Sequence, residues 1–151
     1  MKNVLFVCTG KTCRSPMAEA WLKMLCARDG VACTVGSAGL AAEPGNSASV
    51  HAQEVMAARG IDLSHHAARR FSADLADGAD LIIAMTAAHR QSLISLVPEA
   101  AEKIFLLMYY PRPRPENDVP NPFRGSLRMY EACFRFMEEA IENLKNALTT
   151  T

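Results

Sequence analysis

The chain of 151 residues has no excess charge of either sign, with 16 Lys and Arg against 16 Asp and Glu. A general nucleic-acid surface needs a basic face, so none is expected, and a composition that is 50% hydrophobic speaks against disorder. Basic residues cluster only at Arg69-Arg70 and at Arg112 with Arg114, and both pairs read as solvated surface charge. No long apolar run is present. Val4-Leu5-Phe6-Val7 is too short for a signal peptide or a membrane span, so no membrane partner is expected. The five cysteines, Cys8, Cys13, Cys26, Cys33 and Cys133, form no CxxC pair and no Cys/His cluster with zinc spacing. Neither a metal nor another cofactor is expected, and a cytoplasmic setting with reduced thiols is. The length suits one domain over residues 1–151.

What the chain does have is regular alternation of short apolar runs with helical patterns. Residues 3–7 read as a strand buried on both faces. Ser15-Pro16 opens a helix with Met17, Ala20, Trp21, Met24 and Leu25 at helical spacing, and Asp29-Gly30 closes it. Val31–Val35 reads as a second strand, Gly36 to Asn46 as loop, and Ser47–Arg59 as a helix with Val50, Val55 and Met56 on its apolar stripe. Ser72 caps a short helix, Asp80–Met85 is a buried strand, and Thr86 caps the helix Ala87–Leu96. A fourth strand, Lys103–Met108, precedes a proline-rich loop over 109–125. A last helix runs over 126–148 with Leu127, Tyr130, Phe134, Met137, Ile141 and Leu144 on one face. The alternation predicts an α/β fold: a small, doubly wound, four-stranded parallel sheet with helices on both faces. In such sheets ligands sit beyond the carboxyl ends of the strands.

The end of the first strand carries the chemistry. Cys8-Thr9-Gly10-Lys11-Thr12-Cys13-Arg14-Ser15 runs from a strand into a helix N-terminus, where backbone N–H groups can surround one anion. A nucleotide loop of the Walker type would need a glycine where Leu5 stands. The pattern present is instead a cysteine, five residues, an arginine and a serine. A free thiol, with a pKa of about 8.5, is mostly protonated at neutral pH, and a helix N-terminus beside a cation lowers it. Arg14 offers a guanidinium fork for two phosphate oxygens, Gly10 lets the backbone turn its N–H inward, and Ser15 offers a hydrogen bond to the Cys8 thiolate. These residues point to a phosphatase working through a cysteinyl-phosphate.

The loop, Ser37-Ala38-Gly39, Asp80 to Met85, Asp118-Val119-Pro120 with Pro122-Phe123, Gly125-Ser126 and Tyr130 together resemble the low-molecular-weight protein tyrosine phosphatases. The resemblance implies Cys8 as nucleophile and Arg14 as phosphate and transition-state clamp. It also implies backbone contacts to the phosphoryl group from Thr9 through Gly10, Lys11, Thr12 and Cys13 to Arg14, and a phosphorylated protein or peptide as substrate. Thr12 and the Pro122-Phe123 pair resemble the bacterial protein-arginine phosphatase branch, which favours phosphoarginine over phosphotyrosine. For Cys13 two readings stand: a reversible disulfide partner of Cys8, as the resemblance implies, or a small buried residue under the loop.

The chain departs from that family pattern twice. Lys11 stands where asparagine is expected to brace the loop, and Asn121 stands where an aspartate is expected as general acid. Asp118, three residues earlier, is the available substitute. The Asn121 amide has no carboxyl proton to give, so an alternative is a catalytically impaired, phospho-residue-binding member. A thiol-dependent arsenate reductase ranks last, since residues 70–100 contain no relay cysteine. Among the histidines, His51 is the best candidate to hydrogen-bond the loop, but an ordinary structural histidine is the favoured reading. Tyr109 and Tyr110 are candidates for the cleft wall. Cys26, Cys33 and Cys133 read as core.

Overall fold

Alternate residues of the first strand, β1 (Lys2–Cys8), are apolar on both sides, and both sides are buried. Val4, Phe6 and Cys8 pack into one core, Leu5 and Val7 into the other. A strand with two apolar faces needs helices over each. The computed structural model describes residues 2–9, 14–107, 119 and 125–149. The remaining elements are α1 (Arg14–Asp29), β2 (Cys33–Gly39), α2 (Val50–Ala57), α3 (Ala73–Gly78), β3 (Leu81–Ala84), α4 (Ala87–Leu96), a 3-10 helix (Pro98–Lys103), β4 (Ile104–Leu106) and α5 (Leu127–Leu148). The four strands are parallel in the order β2-β1-β3-β4. Residues from α1, α2 and α5 fill the core on one face, and residues from α3, α4 and the 3-10 helix fill the other.

β2, α2 and α5 show the clearest differences from the sequence reading. β2 runs to Gly39, whereas a loop was expected from Gly36. The backbone there stays in register with β1, with Phe6 opposite Ser37 and Cys8 opposite Gly39. A Cβ at Gly36 would meet the Arg69 guanidinium lying across the strand, and that side chain would have to shift. α2 starts at Val50, three residues later than expected, because Ser49 takes the cap and accepts the Ala52 N–H at 3.4 Å. Val50 therefore lies at the helix entrance, 69% exposed, while Val55 and Met56 are buried as expected. In α5 the expected stripe is buried from Tyr130 onward, and Leu127, in its first turn, is exposed.

α5 is fastened over α1 by large side chains. The Trp21 and Phe134 rings meet edge to face, 5.2 Å apart, and the Arg59 guanidinium lies 4.2 Å from the Phe134 ring centroid. Lys145 pairs with Asp29 at the far end of α1. The cation pairs of Asp29 with Arg28 and Lys145 hold its carboxyl well below the usual range. Phe134 has no exposed surface. Phe134→Ala is expected to lower unfolding free energy by about 3–5 kcal/mol, read as an earlier urea midpoint at unchanged slope.

Candidate active site

The strand order places a topological switch at β1. The chain leaves β1 through α1 to β2 on one side, and later returns to β3 on the other. A crevice opens at the carboxyl end of such a strand, and Cys8 is its last residue, only 4% exposed. Hydrogen bonding carries on past the end of the sheet. The Leu40 N–H donates to the Cys8 carbonyl at 2.9 Å and the Ala41 N–H to the Thr9 carbonyl at 2.7 Å. On the opposite side the Thr9 hydroxyl shares a 2.8 Å hydrogen bond with His89 Nε2.

Arg14 closes the loop as the first residue of α1. Its side chain turns inward, 4% exposed, and Nη1 donates to the Val119 carbonyl at 2.9 Å. Val119 is in turn fixed by its own N–H, which donates to the Met85 carbonyl at the end of β3 at 2.8 Å. Among the described residues Arg14 has no carboxylate partner. A buried cation held by a neutral carbonyl is costly unless an anion joins it. The first turn of α1, Arg14 to Met17, is buried, and helix N-terminal amides carry the partial positive charge that favours the same anion. A thiol, a guanidinium and a helix N-terminus thus converge where a phosphoryl group can be bound and attacked.

Behind Cys8 lies a small cavity of about 20 Å³, lined by Cys8, Ser15, Ser37, His66 and Arg69 among others. That is room for about one water. Ser15 was expected to donate to the Cys8 thiolate. Its Oγ is buried in that same lining and has no hydrogen-bond partner among the described residues. Ser37 donates its hydroxyl to Glu19 Oε1 at 2.5 Å, and Lys23 lies 2.6 Å from the other Glu19 oxygen. Arg69, expected as plain surface charge, donates from Nε to the Ser37 carbonyl at 3.0 Å, and Arg70 from Nε to the Ala42 carbonyl at 3.3 Å.

Among the described residues the contacts of His51 are structural: it lies 3.3 Å from Glu54 and edge-on to Tyr130. The histidines at the site are His89, on Thr9, and His66, in the cavity wall; the sequence reading selected neither for this place. The signal for His89 was its position in the first turn after the Thr86 cap. Its target could be known only from the β1–β3 pairing. Gly10, Lys11, Thr12, Cys13, Asp118 and Asn121 lie outside the described residues, as do Tyr109, Tyr110, Pro122 and Phe123. Among the described residues no group of three or more His, Cys, Asp or Glu side chains is placed to hold a metal, and no helix is long and apolar enough to cross a membrane.

Burial holds the His66 imidazole below its ordinary range; Glu19 opposes the shift while Lys23 and Arg69 add to it. The unfolded chain therefore takes up a proton at His66 more readily than the folded one. The resulting stability is fully present above about pH 6.5 and is lost as pH falls through the folded pKa. Melting temperature should fall between about pH 7 and about pH 5.5, by visibly less in His66→Gln, and parallel curves for the two proteins would refute this.

The comparisons with known proteins agree with this geometry. A family model described as low molecular weight phosphotyrosine protein phosphatase matches residues 3–151. A protein-arginine-phosphatase of Bacillus subtilis is 38% identical over 146 residues, covering 97% of this chain and 96% of the relative. The low molecular weight protein-tyrosine-phosphatase Wzb of Salmonella typhi is 36% identical over 146 residues, covering 97% and 93%. A solved structure of the YwlE arginine phosphatase, a cysteine-to-serine mutant with a phosphorylated active-site serine, superposes with a TM-score of 0.93 at 36% identity, covering 98% of this chain and 96% of that one. A strand-end cysteine, a helix-opening arginine and a match over almost the whole chain lead to one conclusion: the chain belongs to the low-molecular-weight phosphotyrosine protein phosphatase family.

Proposed function

We propose that the protein is a cysteine-dependent protein phosphatase acting on phosphoarginine in preference to phosphotyrosine. The observation that carries the chemistry is the placement of Cys8 and Arg14. They are the last residue of β1 and the first of α1, both buried, at the switch point of the sheet. In the proposed reaction the Cys8 thiolate attacks phosphorus. An S–P bond forms and the P–N bond of phosphoarginine, or the P–O bond of an ester, breaks. The electron pair departs on the leaving atom, which takes a proton. Water then attacks the cysteinyl-phosphate, releasing inorganic phosphate and the thiolate. Arg14 and the backbone from Thr9 to Arg14, including Gly10, Lys11, Thr12 and Cys13, hold the non-bridging oxygens. Thr12 and Pro122-Phe123 support the arginine preference, as does the similarity to the Bacillus protein-arginine-phosphatase. Under this reading residues 1–151 form one phosphatase domain that acts on phosphorylated protein in the cytoplasm. Cys13 then shields Cys8 as a reversible disulfide partner.

Asn121 bears on rate. General acid catalysis contributes about 100- to 10,000-fold, or about 3–5 kcal/mol of barrier, and an amide has no carboxyl proton to contribute. Asp118 is the nearby carboxylate able to take over. Asn121 also favours a second reading, a phospho-residue-binding protein that hydrolyses slowly or not at all. Rapid-mixing kinetics with an aryl phosphate separate the two: a burst of the phenol leaving group supports the enzyme, and no phosphoenzyme supports the binder. Turnover of phosphoarginine and phosphotyrosine peptides by the native protein and by Asn121→Asp tests the whole. The native protein is expected to favour phosphoarginine. Asn121→Asp is expected to raise aryl phosphate turnover by about tenfold or more, and more for phenyl than for nitrophenyl leaving groups. An unchanged rate would show that residue 121 is not the acid position.

A further inference from the structure

We propose that His89 is a positioning residue of the phosphate loop, acting through the side chain of Thr9; the proposal rests on the phosphatase reading above. Thr9 directly follows the nucleophile candidate and is held from two sides. Its carbonyl accepts the Ala41 N–H at 2.7 Å from the β2 side, and its hydroxyl meets His89 Nε2 at 2.8 Å from the α4 side. His89 is itself fixed. It is 8% exposed, and its backbone N–H donates to the capping hydroxyl of Thr86 at 3.0 Å. The same corner, where β3 enters α4, also presents the Met85 carbonyl to Val119, whose own carbonyl takes the Arg14 guanidinium. Five consecutive residues, Met85 to His89, therefore hold both ends of the loop, Thr9 at its start and Arg14 at its close. With its hydroxyl committed to His89, Thr9 serves the phosphoryl group through its backbone. The imidazole keeps Thr9, where the loop leaves β1, in the orientation that anion binding needs.

A double-mutant cycle tests this. Thr9→Val removes the hydroxyl at nearly constant volume, His89→Leu removes the ring nitrogens, and His89→Gln retains a polar group near the Nε2 position. Turnover of a phosphoarginine peptide and inhibition by orthovanadate are measured for each variant and for Thr9→Val/His89→Leu. Each single loss is expected to lower kcat/KM and weaken orthovanadate inhibition by about three- to tenfold, the size of one hydrogen bond. The double variant should be no worse than the poorer single variant. His89→Gln should recover most of the loss, and the melting temperature of Thr9→Val should stay near that of the native protein. Wild-type kinetics in Thr9→Val, additive losses in the double variant, or no recovery in a folded His89→Gln would each overturn the proposal. Should the native protein not turn over any phosphopeptide, the phosphatase reading fails by itself. The same cycle is then read as orthovanadate affinity by calorimetry, with the same outcomes supporting or overturning the role of His89.

Discussion

The site depends on where β1 stops. Seven residues of β1 pair in register with β2 on one side, and Val4 to Val7 pair with Leu81 to Ala84 of β3 on the other. The strand is therefore fixed along both edges, and its last residue inherits that fixity. The amides of Leu40 and Ala41 continue the ladder to the carbonyls of Cys8 and Thr9. A thiol at such a point has its backbone position determined by the core, with almost no rotational freedom left to lose on binding. Preorganisation of this kind is what a charge-stabilising site requires, because donors already in place need no reorganisation when charge develops.

The second element is the buried cation. Placing Arg14 at 4% exposure against a neutral carbonyl runs against the tendency of charged groups to stay in water. Under the proposed function, the neighbouring α1 N-terminus and the cation would together take a dianion, whose binding would offset the desolvation. The carbonyl that holds Arg14 belongs to Val119, in the proline-rich stretch between β4 and α5, and Val119 is itself anchored on Met85. The guanidinium, Val119 and the end of β3 are thus joined by two hydrogen bonds. A displacement of Val119 would reach the Arg14 guanidinium through a single carbonyl.

Much of this was legible in the sequence. The two-faced apolar run of β1, the caps at Ser72 and Thr86, and the spacing of Cys8 and Arg14 come from local chemistry, and the structure has them where local chemistry puts them. The misreadings share a cause. Gly36 looked like a turn because the group lying against it, the Arg69 guanidinium, belongs to a residue 33 positions away (69 − 36 = 33). Arg69 looked like surface charge for the same reason. His51 was preferred over His66 and His89 because its chain position follows the Ser37-Ala38-Gly39 turn. The contacts that matter for His66 and His89 are across the sheet, and no local pattern announces them.

Identification of the phosphorylated atom tests the account most directly. The native protein is mixed with a phosphoarginine peptide, quenched within the first turnover, and digested for mass spectrometric mapping under conditions that preserve S–P bonds. One phosphoryl group on Cys8, absent in Cys8→Ala and in Arg14→Ala, is the predicted result. Turnover of the peptide with no phosphoryl group on Cys8, or with one on another residue, would contradict it.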